Sequence, residues 1–469
     1  MKENFLNILD AFTSRPQTAR VHVTPKDIET ELEKIQELEG NEMISALAEL
    51  YFKNNPNVYA PGNNARLYTR PESEALLGAF IALLANNSGG TFKSNPVGSV
   101  ITKKVFDYMI NDLIGYEKAE AIDTSGGMAA NAMAIQIARY YFYPDARDKG
   151  NGNSRFVLMC SDQSHYSQDG AMNRAGLGID NICYISTDFD GTIDLLELER
   201  SLKEYKEAGY NIIVSSTYGT TVLGAFDDVE VISNLCFQYG AWHHVDASWG
   251  GPAAISNDRK LFGDLSRADS VTLDAHKAFK STLTCGIFVT QHVGLLKQAN
   301  LSPRSTKYLY HEDPLGLDNG VRGLECGKSD RLLPFGTLLL SRGNSGLTEM
   351  IDRDLQRAKY FTECVSNSPY LKLMHAPQYL NVCVQIKSPF QDLSDSNFTK
   401  FVSDRLLNQK QSNIMVEICK YSELDGYVLR FVISNPEMTT ESIHGIISEL
   451  TELREEMMGI HQKQIQQVS

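Results

Sequence analysis

The sequence predicts an α/β fold: a mostly parallel sheet with helices on both faces, followed by a smaller α+β region. Three observations carry this expectation. Between Glu120 and Thr290, short apolar, β-branched runs alternate with amphipathic stretches of helical length, the pattern of repeated strand–helix units. Each apolar run stops abruptly at polar or small residues, as buried strands do. After about Gly346 the alternation gives way to a long helix, several short strands and a final helix.

The elements follow in order. Thr24-Pro-Lys-Asp-Ile-Glu opens a capped, charged helix, and residues 73–84 form a second helical run. Strands are expected at 155–160, 182–186, 211–216, 241–245, 270–273 and 285–290. Helices lie between them, among them 195–208 and 229–239, and a last helix covers 440–458. The predicted organisation is an N-terminal helical segment at 1–90, a large domain at 91–345 and a small C-terminal domain at 346–469.

Composition narrows the function. A chain of 469 residues, 42% hydrophobic and 22% charged, has the make-up of a soluble globular protein with more than one domain. A net charge of −14 argues against nucleic acid or an anionic membrane as the main partner. The eight cysteines show no C-x-x-C pair and no metal-ligand spacing, so no metal is expected. The N-terminus lacks a long apolar segment and a cleavage signature, and no run reaches the roughly 18 apolar residues of a membrane span. A cytoplasmic protein with free thiols is the expectation.

In sheets of this type ligands bind beyond the carboxyl ends of the strands. Two motifs end there: Ala268-Asp-Ser-Val-Thr-Leu-Asp-Ala-His-Lys277, and His244-Val-Asp-Ala-Ser-Trp-Gly-Gly251. A lysine just past a strand end can form an imine with a carbonyl cofactor. A carboxylate at a neighbouring strand end can keep a pyridine nitrogen protonated. Together Lys277 and Asp246 point to pyridoxal phosphate, which needs both groups. Thr124-Ser-Gly-Gly-Met-Ala-Ala-Asn opens a helix with small residues, which admits a phosphate to backbone N–H groups but also suits an ordinary turn. His165, after the strand ending at Cys160, reads in isolation as a loop histidine, and Ser215-Ser-Thr-Tyr-Gly as a Thr/Gly turn.

From about Thr91 to Pro436 these motifs, in this order, resemble the group II pyridoxal-phosphate-dependent amino-acid decarboxylases, which act on glutamate, cysteine sulfinate, diaminobutyrate or aromatic amino acids. The resemblance implies the pyridoxal-phosphate fold-type I architecture, with pyridoxal 5'-phosphate held as an imine on Lys277. Gly127 and Met128 would contact the phosphate, with Asp274 and His276 also on that side. His165 would stack on the ring and take part in acid–base steps, and Thr217 would face the ring's phenolic oxygen. Asp246 would pair with the ring nitrogen, and Ser248 stands where relatives commonly carry alanine beneath the ring. Tyr308, in a Pro/Gly-rich loop, matches a mobile-loop tyrosine that protonates the α-carbon, and Arg430 in Tyr427-Val-Leu-Arg-Phe-Val matches an arginine that grips the substrate α-carboxylate.

The implied reaction is α-decarboxylation of an L-amino acid to its amine by a homodimer with shared active sites. Arg430 favours an acidic substrate, glutamate, aspartate or cysteine sulfinate, and Arg66, Arg70 and Lys93 can supply further positive charge. Aromatic or diamino acids stay open as alternatives, as does a carbon–carbon lyase or aminotransferase of the same fold. The chain departs from the family pattern at Gly323-Leu-Glu-Cys-Gly-Lys-Ser-Asp and Arg331-Leu-Leu-Pro-Phe-Gly, and 59–93 matches it poorly.

Overall fold

A computed structural model describes residues 2–300, 310, 313, 315–409, 411–421 and 426–468, with side chains described for those among 4–460. The chain divides into two compact units: Pro71–Arg353, and Met1–Arg70 together with Asp354–Ser469. The sequence reading separated three segments at 90/91 and 345/346. Backbone pairing accounts for the difference. Arg20 and Val21 pair with Ser412 and Gln411, Asn64 N–H donates to Met415 O at 2.8 Å, and Val432 N–H donates to Asn64 O at 2.9 Å. Residues after 70 are tied into the larger unit instead: Glu72 N–H donates to Lys280 O at 2.9 Å, and Arg342 pairs with Glu72 at 2.7 Å and Glu74 at 3.0 Å.

The larger unit holds a seven-stranded sheet. Its strands are β1 (Glu120–Thr124), β2 (Phe156–Ser161), β3 (Ile182–Ile185), β4 (Asn211–Thr217), β5 (Trp242–Asp246), β6 (Ser270–Asp274) and β7 (Gly286–Thr290). Their order is β1-β7-β6-β5-β4-β2-β3. The pairs β3–β2–β4–β5–β6 are parallel, and β7 alone runs antiparallel to both its neighbours. All the strands expected from sequence form. The sheet also gains β1, whose Glu-Ala-Ile-Asp-Thr pattern looks half-exposed but is buried throughout. Its acids are matched: Glu120 accepts from Leu296 N–H at 2.6 Å, and Asp123 pairs with Lys328 and with Arg331.

Alternation along β2 builds a core on each face. Leu158 packs with Ile122, Ala134, Ala138 and Ile213, covered by the helix Gly127–Phe142, here α1. Val157 and Met159 face the other way, with Val214, under Leu198 and Leu202 of α2 (Leu195–Glu207) and Ile232 of α3 (Val229–Tyr239). The helices α2 and α3 start at Asp194 and Asp228, each accepting two first-turn N–H bonds.

The other unit carries an antiparallel sheet of β8 (Leu371–Leu373), β9 (Asn381–Ile386), β10 (Glu417–Tyr421) and β11 (Gly426–Val432), ordered β10-β11-β9-β8. The final helix runs Thr440–Val468, beyond the expected end at 458. Among the described residues no helix is long and apolar enough to cross a membrane.

Candidate active site

Parallel pairing of β5 with β6 brings Asp246, the last residue of β5, to the same sheet edge as Asp274, the last residue of β6. Lys277 follows β6 in a turn closed by Lys277 N–H donating to Asp274 O at 3.2 Å. Its Nζ lies 3.1 Å from Asp274 Oδ2, and His276 Nε2 lies 3.8 Å from the same oxygen. His276 Nδ1 accepts from Cys285 N–H at 3.1 Å, and burial lowers the histidine's pKa despite Asp274. The ring is therefore neutral, with its proton on Nε2.

Asp246 is 7% exposed and held by three donors. Oδ1 accepts from Ser248 N–H at 3.1 Å and Ser248 Oγ–H at 2.5 Å, and Oδ2 accepts from Asn131 Nδ2–H at 2.6 Å. Burial pushes its pKa up, but the positive charge of Lys277 and the bonds from Ser248 and Asn131 overcome that and hold it below the usual carboxylate value. A carboxylate offers about four acceptor positions. The one left open is on Oδ2.

Asn131 lies one turn along α1 from Gly127. Its second Nδ2 proton goes to Ser167 Oγ at 2.8 Å, and its Oδ1 meets His244 Nε2 at 3.1 Å. His244 Nδ1 meets Ser270 Oγ at 2.9 Å, which accepts from Trp242 Nε1–H at 3.1 Å. Trp242, His244 and Asp246 alternate along β5 and so share its face toward α1. His243 points to the opposite face, between Ser216 Oγ and Ser233 Oγ, both at 2.8 Å. Burial drives His243 down to about 3 and His244 to about 4, so both are neutral.

The start of α1 is shaped for a small anion. Gly126, its N-cap, sits at φ 137° and contributes no capping side chain, so the first N–H groups are left to another acceptor. A Cβ on Gly127 would come 2.5 Å from Ser248 Oγ and 2.9 Å from Asp274 Oδ2, which fixes glycine there. Met128, next along, is 36% exposed.

His165 is half-buried, with Nδ1 accepting from Ser167 N–H at 3.2 Å. Burial lowers its pKa, opposed by Asp246 and reinforced by Lys277. Thr217, at the end of β4, donates its N–H to Asp227 Oδ2 at 2.7 Å. Lys277, Asp246, Ser248, Asp274, His276, His165, Thr217 and the α1 start thus all lie within the larger unit.

Two further expected residues lie outside the described part of this unit. Tyr308 lies outside the described residues. Arg430 belongs to the other unit, 5% exposed on β11, with Nη2 donating to Ala65 O at 2.5 Å. In that unit Arg66 pairs with Glu417 at 3.1 Å and Arg70 with Glu437. Lys93, in the larger unit, is exposed. Sequence reasoning missed Asn131 and His244 as part of the site. Their signals were an amide among the Ala and Met residues that open a helix, one turn after the Gly pair, and a histidine two residues before the key aspartate.

A buried, ionised carboxylate with one acceptor position open, a lysine amine at the next strand end and an uncapped helix start fit a pyridoxal cofactor through its ring nitrogen, aldehyde carbon and phosphate. These features define a pyridoxal-phosphate enzyme. The chain belongs to the pyridoxal-dependent decarboxylase family, whose conserved domain matches residues 22–387. It is 30% identical over 404 residues to the acidic amino acid decarboxylase GADL1 of Xenopus tropicalis, covering 83% of this chain and 78% of the relative. It is 29% identical over 408 residues to human cysteine sulfinic acid decarboxylase, covering 84% and 82%. The crystal structure of mouse CSAD superposes with a TM-score of 0.89 at 24% identity, over 96% of this chain and 98% of that one. That superposition establishes the fold-type I architecture expected above.

Proposed function

We propose that the protein removes the α-carboxylate of an acidic L-amino acid (glutamate, aspartate or cysteine sulfinate), releasing CO₂ and the amine. The observation that carries the reading is the placement at one sheet edge of the Lys277 amine, ion-paired to Asp274, and of an Asp246 carboxylate that keeps a single acceptor position open. Bound pyridoxal phosphate supplies an electron-poor ring that takes up the electron pair left when the carbon–carboxylate bond breaks.

This chain's residues do the rest. Lys277 provides the amine that holds the cofactor and yields it to the substrate, and Asp274 orients that amine. Asp246 keeps a proton on the ring nitrogen, without which the ring is a poor electron sink. The first turn of α1, at Gly127 and Met128, and the Nε2–H of His276 hold the phosphate. His165 covers one ring face, and Thr217 faces the phenolic oxygen. Arg430 binds the substrate α-carboxylate as a planar fork, and Tyr308 delivers the proton to the α-carbon, with His165 the next candidate.

The acidic preference is supported by relatives named for acidic amino acids and cysteine sulfinic acid. The proposed assembly is a homodimer with shared sites, and its association is supported by an apolar surface in the larger unit. The helix Ser73–Ala85 exposes Leu77, Ile81, Leu83 and Leu84, and the helix Pro96–Tyr108 exposes Val97 and Val100. A cytoplasmic setting is supported by eight cysteines, all free.

The test is a panel of amino acids assayed for CO₂ and amine with the pyridoxal-loaded protein, followed by borohydride reduction and peptide mapping. Turnover of an acidic substrate and a label on Lys277 are expected. Turnover confined to aromatic or diamino acids would overturn the substrate class, and a label on another lysine would overturn the site.

A further inference from the structure

We propose that Asn131 and His244 are positioning residues that act through Asp246: a one-way hydrogen-bond relay from Trp242 fixes which carboxylate lone pair meets the cofactor ring nitrogen. This deepens the reading above and rests on it.

Proton counting sets the direction. An ionised carboxylate only accepts, so the Asn131 atom 2.6 Å from Asp246 Oδ2 is the amide nitrogen. Asn131 Oδ1 then has no proton to give, and His244 Nε2, 3.1 Å away, must be the donor. His244 is neutral, so Nδ1 is bare and accepts the Ser270 hydroxyl proton at 2.9 Å. That hydroxyl oxygen in turn accepts from Trp242 Nε1–H at 3.1 Å, a group that can only donate. His244 Nε2–H is shared between Asn131 Oδ1 and, at 3.3 Å, Thr272 Oγ1, whose hydroxyl can accept it; with the amide fixed by Asp246, reversing the imidazole would set Nε2 and Asn131 Oδ1, two acceptors, against each other.

The relay has two consequences for the site. It occupies one lone pair of Oδ2 while Ser248 occupies both acceptor positions of Oδ1, so a ring N–H has a single place to dock. It also keeps the donor facing Asp246 in place, which favours the ionised carboxylate and hence a protonated ring. Local satisfaction of a buried histidine does not require such a chain. His243, the next residue, is satisfied by Ser216 and Ser233 on the other face of the strand and never reaches the site.

The experiment loads the full-length apoprotein with pyridoxal phosphate labelled with ¹⁵N in its ring and reads the nitrogen chemical shift and the cofactor dissociation constant. The parent should show a protonated ring nitrogen. Asn131→Leu and His244→Leu should move the signal toward the unprotonated position and weaken cofactor binding by roughly 10- to 100-fold, the scale of a hydrogen bond to a charged group. His244→Gln, whose amide can donate toward Asn131, should restore much of both. Ser270→Ala makes a smaller lesion and should shift the signal the same way. It decides the matter if the leucine variants do not fold. Folded variants with the parental shift and affinity would overturn the relay alone. An unprotonated ring, or no uptake of cofactor by the parent, would overturn the site reading as well.

Discussion

Asp246 stays ionised in a buried position because its donors and the nearby Lys277 charge outweigh the cost of burial. Asp246→Asn removes the charge and, because its amide brings two protons of its own, faces the Asn131 amide nitrogen with a donor or loses the Ser248 hydroxyl bond. The variant should decarboxylate about 10²- to 10⁴-fold more slowly, the cost of unpairing a buried charge. Single-turnover rates in a folded, cofactor-loaded variant check this, and near-parental turnover would remove Asp246 from the chemistry. Lys277 and Asp246 were legible in the sequence because strand ends announce themselves by an apolar run meeting polar residues. Asn131 was not, because its partners Asp246 and His244 lie far away in sequence and reach it only when α1 packs across β5.

At the scale of elements, β5 makes two different uses of adjacent histidines. Both stay neutral when folded, with His243 at about 3 against 6.5 in the unfolded chain. The unfolded state therefore binds protons that the folded state refuses, and His243 costs stability increasingly as pH falls below about 6.5. The melting temperature of the parent should drop over that range, and a folded His243→Gln variant should show a shallower drop. An unchanged slope would place the titration elsewhere. The start of α1 gives a contrast between glycines. Gly127→Val would drive side-chain atoms into Ser248 and Asp274 and should weaken cofactor binding by about tenfold or more, the scale of one lost hydrogen bond to a charged group. Gly445, in the final helix, has no atom within 4 Å of an added Cβ, so Gly445→Ala should stabilise the protein by roughly 0.5–1 kcal/mol in denaturant titrations. The buried strands were readable as apolar runs. β1 was not, because Glu120 and Asp123 are buried against partners in Leu296, Lys328 and Arg331 that no local pattern reveals.

At the scale of the whole molecule, the proposed dimer can be tested at the leucine-rich surface of Ser73–Ala85. Light scattering should report a dimer for the parent and a monomer with depressed activity for Leu84→Glu, at a side chain 75% exposed. A parent that is monomeric and active would remove the dimer from the mechanism. The joining of residues before 70 to the C-terminal part was not legible, since it rests on two-residue strand pairs and single backbone bonds such as Asn64 to Met415.

That joining also orders events on the ribosome. The unit of Pro71–Arg353 is continuous in sequence, so all of its strands emerge together and can close their sheet while translation proceeds. The other unit is split across the message. Residues 1–70 must wait for their strand partners until Ser412 and Met415 have been synthesised nearly 350 codons later. The waiting segment can set its helices Lys2–Thr13 and Gly40–Asn54 against each other, through Asn7–Ser45 and Phe12–Phe52, but the backbone of Arg20, Val21 and Asn64 has no strand to pair with until then, which makes it the stretch of nascent chain where a chaperone has most to do.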